Sequence, residues 1–208
     1  QTCALPISFR TTVAENSAWI ERHHGGNFCQ FVTRSYVTAA SLGVRRHLKM
    51  NDSNSIALAR LLDQIAKCAP QITFSFYQLR FPRDPNDIRW QASSFGRLCA
   101  DPAPLANEST AGGVAVSAST VEGDLAKMDA LTQTIEEYAD RVLAHLDKRG
   151  SAATFTFAEL DQALHAFDEI VCSYQRFLTG SAPNSHVAVA QYPIERIFTV
   201  PWKQPTPT

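Results

Sequence analysis

Apolar residues recur along this chain at intervals of three and four over long stretches, the period of amphipathic helices, and they predict an all-α protein. The clearest stretches lie in the second half. Over residues 121–148, Leu125, Met128, Leu131, Ile135, Tyr138, Val142 and His145 share one stripe, with gaps of 3, 4, 3, 4 and 3 from Met128 onward. Gly150 follows as a helix C-cap. Thr156-Phe157-Ala158-Glu159 reads as a capping box, with Phe155 and Leu160 placed for a hydrophobic staple. The helix it opens carries Leu160, Leu164, Phe167, Val171, Tyr174 and Leu178, and stops at Gly180. Only a short loop separates the two helices, so they are expected to pack antiparallel.

The first half repeats the pattern. A short helix is expected around Ala18–His24, closed by Gly25-Gly26. A long one runs from Phe28 to Met50 with Phe31, Val32, Ser35, Ala39, Leu42 and Val44. It ends in Arg45-Arg46-His47-Leu48-Lys49, cations suited to the negative end of the helix dipole. After the polar break 51–54, a helix over 55–68 presents Leu58, Leu61, Leu62 and Ile65, and Pro70 stops it. Residues 71–80 fit a strand or a helix equally. Residues 101–120, rich in Ala, Ser, Thr, Gly and Pro, read as a surface insertion or flexible loop.

The resulting expectation is an antiparallel four- to five-helix bundle over 8–180, with 181–208 as an extended C-terminal arm packing on it. The opening Gln1-Thr2-Cys3-Ala4-Leu5-Pro6-Ile7 resembles the translation of a sequencing adapter; residues 1–7 are expected to be non-native, with the true start upstream of about Ser8.

Composition narrows the function. The 208 residues carry 19 Lys+Arg against 20 Asp+Glu, a net charge of −1, and 45% are apolar. That excludes a disordered tail and disfavours a non-specific grip on duplex DNA. No run of roughly 18 uncharged apolar residues offers a membrane span. Cys29, Cys68, Cys99 and Cys172 are widely spaced with no CxxC, as in thiols of a reducing cytoplasm, so no zinc site is expected. Glu21-Arg22-His23-His24 holds one Glu-x-x-His, where a di-iron bundle needs two such motifs and two more glutamates. No metal or cofactor is therefore expected. Cys172 and His165, seven apart on one helix, read as packing residues.

One segment stands out chemically: Tyr138-Ala139-Asp140-Arg141-Val142-Leu143-Ala144-His145-Leu146-Asp147. Arg141 and His145 are four apart, so they project from adjacent turns of one face. Histidine can move protons near neutral pH, and a guanidinium can hold the charge of a phosphorane-like transition state. Glu137, four residues before Arg141, offers the plainer alternative of a helix ion pair, and the place of His145 on the apolar stripe offers that of a buried, hydrogen-bonded core residue.

This segment resembles the signature helix of the HEPN superfamily, helical bundles of prokaryotic toxin–antitoxin, abortive-infection and CRISPR-linked systems. Other features are similar to its abortive-infection U-type branch: Arg34-Ser35-Tyr36 and Arg45-Arg46 in the first long helix, the Leu-rich helix over 56–66, and the closing Phe198-Thr199-Val200-Pro201-Trp202. The resemblance implies a dimer whose two copies form one composite site, acting as a metal-independent endoribonuclease in which the RNA 2′-hydroxyl attacks the neighbouring phosphate. It also implies RNA as a partner, a cognate nucleotidyltransferase-like antitoxin, and a cytoplasmic setting.

Carried over by position, His145 matches the family histidine. The family arginine precedes it with four to six residues between; Arg141 has three, and no arginine lies between Asp124 and Asp140. Arg141 itself, or Arg45 or Arg46 from the first long helix, could supply it. Asp140 falls where many members carry a polar residue after the arginine. Catalytic candidates are thus His145 and Arg141, with Arg45, Arg46 and Asp140 as phosphate- or RNA-binding candidates. A member lacking the arginine would instead be an inactive dimeric bundle that binds RNA, nucleotide or a protein.

Overall fold

The structure is a computed structural model that describes residues 4–22, 24–50, 56–81, 85–144, 154–181 and 184–186. Among the described residues it is all-helical: α1 (Ala4–Glu15), α2 (Ser17–Arg22), α3 (Gly26–Leu48), α4 (Leu58–Cys68), α5 (Phe74–Arg80), α6 (Pro85–Gly96), α7 (Glu108–Ala111), α8 (Ala118–Tyr138) and α9 (Phe157–Thr179). Two compact units divide the described residues, one ending at Ala40 and one running from Ser41 to His186. Most of the expected C-terminal arm lies outside the described residues.

In the first unit α1 begins at Ala4, inside the adapter-like heptad. The turn after α2 departs from expectation. His24, not a glycine, takes the left-handed conformation at φ 55°. Its N–H donates to the Glu21 carbonyl at 3.2 Å, and the Gly25 N–H to that of Ile20 at 2.8 Å. Gly26 then starts α3 rather than closing α2. The α3 pattern also departs: Phe31 is 67% exposed, and Ser41 and Val44 are the residues buried along this helix.

The second unit is built around α8, which packs against both α4 and α9; α9 also packs against α6. The expected pairing of the last two long helices is thus present. Local signals explain α9 well. Thr156 Oγ1 accepts from the Glu159 N–H at 3.2 Å, and the Glu159 carboxylate accepts from the Thr156 N–H at 2.5 Å. Gly180, at φ 79°, closes the helix with its N–H on the Arg176 carbonyl. Phe155 stands edge-on to Tyr138, ring centroids 5.1 Å apart.

The buried faces are rotated from the expected stripes. On α8 the fully buried residues include Val121, Met128, Thr132 and Ile135, with Ala139 just beyond, while Leu131 and Tyr138 are half-buried. A helix wedged between two neighbours buries a broader arc than one stripe, and Thr132 tolerates burial because its hydroxyl donates to the Met128 carbonyl at 2.7 Å. On α9, Ala163 and Ala166 are buried, positions that a search for large apolar residues passes over.

One segment corrects the sequence reading, and another selects between its two alternatives. Residues 101–120, expected as an insertion or flexible loop, are built into the core. They form a 3-10 turn (Ala103–Ala106), α7 and the start of α8, and they bury Leu105, Ala111 and Val116. Thr73 and Ala115 make an antiparallel bridge that ties this segment to α5. Residues 74–80 take the helical alternative, with Thr73 as N-cap accepting from the Phe76 N–H.

An aromatic cluster fills the α5–α6–α9 corner. Tyr77 stacks on Phe177 at 5.1 Å and 8°, Phe74 meets Phe95 edge-on at 5.3 Å, and Phe81 bridges Tyr77 and Trp90. The Tyr77 hydroxyl is buried with no hydrogen-bond partner among the described residues, and burial pushes its pKa up to about 12. An uncompensated buried hydroxyl is destabilising. Tyr77→Phe is therefore expected to raise stability by about 0.5–1 kcal/mol in urea unfolding; a loss of stability would show that the hydroxyl is bonded.

Candidate functional site

The segment singled out above continues α8 as a π-helix, Ala139–Ala144. A wider turn of this kind is rare and often marks a functional site. It starts where the Ala139 N–H is shared between the Glu136 and Ile135 carbonyls, with Ala139 itself sealed in the core. Asp140 and Arg141 follow on this distorted turn. His145 lies outside the described residues.

The structure brings two of the candidates together. Arg45, in the last turn of α3, donates from Nε to Asp140 Oδ1 across 95 positions of sequence. The Arg45 side chain is 22% exposed and that of Asp140 42%. Arg141 turns elsewhere: its Nη1 is 2.8 Å from Glu137 Oε1, in the i,i+4 ion pair that was the plainer alternative, and both side chains are largely exposed. Arg46 is exposed beside Arg45. His47 faces the Phe167 ring at 6.4 Å; burial, and then the neighbouring Arg46 charge, hold its pKa below the usual imidazole value.

Two polar clusters elsewhere were not anticipated. Asp124 on α8 accepts from Arg97 Nη1 at 3.0 Å and from the Tyr174 hydroxyl at 3.0 Å, and the Arg97 guanidinium lies 5.8 Å from the Tyr174 ring centre. The network ties the end of α6 to α8 and α9.

The second cluster centres on Asp168, a buried carboxylate in the middle of α9. It accepts from the Ser185 hydroxyl at 2.6 Å, the His186 N–H at 2.6 Å and the Cys172 thiol at 3.8 Å. Burial alone would raise its pKa. The hydrogen bonds from Ser185 and His186, the His186 charge and the Cys172 thiol prevail and hold it below the usual carboxylate value. Asp168 thus anchors the chain where it folds back after α9. Nothing in the sequence sets Asp168 apart, since it stands beside Glu169 on a helix that also carries Glu159 and Asp161.

A carboxyl whose folded pKa is depressed contributes stability that is present above its unfolded pKa and lost as pH falls through the folded one. Asp168→Ala is expected to cost about 1–3 kcal/mol at neutral pH, because it removes the hydrogen bonds that Ser185 and the His186 N–H donate to a charged carboxylate. The difference from wild type should shrink as pH falls below the ordinary aspartate range. Equal stability of the two proteins at pH 7 would contradict this role.

The thiol chemistry is quiet. Cys99 and Cys172 are buried; burial pushes the Cys99 thiol up to about 11, and burial with the Asp168 charge raises that of Cys172. Cys172 is a packing residue as expected. His165 is not: it is exposed, 3.6 Å from Glu169. Among the described residues no group of three His, Cys, Asp or Glu could hold a metal ion, and no helix is long and apolar enough to cross a membrane.

These features define an all-helical protein with a basic helix end docked on a π-helical turn that carries Asp140 and Arg141. Comparison of the chain with protein-family models, curated proteins and solved structures finds no match.

Proposed function

We propose that this chain is a HEPN-like prokaryotic toxin or defence protein that acts on RNA as a dimeric, metal-independent endoribonuclease. The observation that supports this best is the Arg45–Asp140 pair, which brings a guanidinium from the first long helix to the segment bearing the signature residues. The arginine that the local spacing lacks is thereby available from another helix. In this reading His145 takes the proton of the RNA 2′-hydroxyl as it attacks the adjacent phosphorus. The bond to the 5′-oxygen breaks, that oxygen is protonated as it leaves, and a 2′,3′-cyclic phosphate remains. Arginines hold the charge that builds on the phosphate oxygens.

The Arg141–Glu137 pair favours a second reading, an inactive bundle that binds RNA, nucleotide or a protein partner. Arg141→Ala separates the two. This side chain is exposed, and a surface helix pair contributes only about 0.3–0.5 kcal/mol, so the variant should fold normally. With catalysis at this site, cleavage of single-stranded RNA in the presence of chelator should fall about 100-fold or more. Unchanged cleavage would remove Arg141 from the mechanism. If no cleavage is seen even for wild type, the second reading stands.

A further inference from the structure

We infer that Asp140 is a positioning residue, holding Arg45 by its Nε so that the terminal nitrogens of the guanidinium are presented to a phosphodiester of single-stranded RNA. This deepens the proposed RNA reading and rests on it, but concerns binding rather than cleavage.

The contact itself carries the argument. Arg45 meets Asp140 through Nε, and neither of its terminal nitrogens has a partner among the described residues. An arginine paired in this way has its two Nη groups still free to grip an anion in a bidentate fork. Its side chain is 22% exposed, so it is largely immobilised yet still reachable. A side chain already held in place loses less entropy on binding than a free one. Arg141, at 56% exposure in a surface pair, lacks that preparation.

Asp140 cannot serve the phosphate directly, because a carboxylate repels it. Its contribution must pass through Arg45, with Arg46 exposed at the same helix end as a second cation. The π-helical turn explains how Asp140 comes to be there: the widened turn begins at the buried Ala139 and displaces the next residue from the regular α8 register.

Two substitutions at Asp140 separate positioning from mere charge. Asp140→Asn removes the negative charge but keeps an oxygen that can accept from Nε. Asp140→Ala removes both. If Asp140 were only a nearby anion, both would tighten RNA binding alike. With positioning, Asp140→Asn binds as well as wild type or better, while Asp140→Ala weakens binding several-fold and Arg45→Ala about tenfold.

The measurement is fluorescence anisotropy of a labelled single-stranded oligoribonucleotide, titrated at several salt concentrations, with Lys67→Ala as a surface control. Loss of one phosphate contact lowers the slope of log affinity against log salt by about 0.7 on single strands, a change that a purely structural defect does not produce. Arg45→Ala and Asp140→Ala should both show it, and Asp140→Asn should not.

If the Asn and Ala variants move together, or if none of the three differs from wild type, the inference is wrong while the RNA reading survives. If no form binds RNA, both fail. If binding follows the expected order but no RNA is cut, the inference stands and the nuclease reading fails.

Discussion

Gly180→Ala is expected to cost about 2–5 kcal/mol, the sum of two independent effects. Gly180 sits at φ 79° as the left-handed cap of α9, where an L side chain costs about 1–2 kcal/mol. A Cβ there would also lie 2.7 Å from Phe81 Cε1 and 3.1 Å from its Cδ1. Phe81 cannot easily retreat, because its ring is held between Tyr77 at 4.9 Å and Trp90 at 6.0 Å. Tyr77 in turn stacks on Phe177 of the same α9. Overpacking a rigid cluster typically adds 1–3 kcal/mol, roughly, to the backbone term. For a chain of this length the melting temperature should drop by roughly 5–15 °C. A drop within the error of the measurement would mean that the α9 C-cap and the aromatic corner do not meet as described.

The other large effect is on turnover. Under the proposed function His145→Ala should lower the rate of RNA cleavage by about 100- to 10,000-fold, the range for loss of a general acid–base group. His145 belongs to the apolar stripe read from the sequence, so the substitution is paired with a thermal melt and with His145→Asn, which keeps a polar side chain of similar size. Loss of cleavage in both variants with melting unchanged assigns chemistry to the imidazole. Full activity in either variant removes His145 from the mechanism.

The legibility of the chain varied with how local each signal was. α9 was read almost to the residue because its start and stop lie in adjacent side chains: the Thr156–Glu159 box and Gly180. α6 was missed because its buried face includes Gln91 and Ser94 beside Phe95, so its apolar period is broken by polar residues. Residues 101–120 were misread for a related reason. Small residues such as Ala111 can seal a core as well as solvate a loop, and composition does not tell the two apart.

For the candidate site, the helix bearing Asp140 and Arg141 and the Arg141–Glu137 pair were both legible, since i,i+4 spacing is a local property. The π-helical turn was not, because α and π turns share the same residue types. The partnership of Arg45 with Asp140 joins residues 95 positions apart, and no period in the sequence encodes it. The Asp168 anchor was hidden in the same way, its partners lying 17 and 18 positions downstream across a change of chain direction.

The central claim, that this helical protein cuts RNA without metal, is tested most directly by the ends of the products. Purified wild-type chain is incubated with single-stranded RNA in excess chelator, and the termini of any fragments are determined. Attack by the 2′-hydroxyl is expected to leave 2′,3′-cyclic phosphates facing 5′-hydroxyls. RNA that remains intact, or that is cut only when a divalent metal is restored, would contradict the claim.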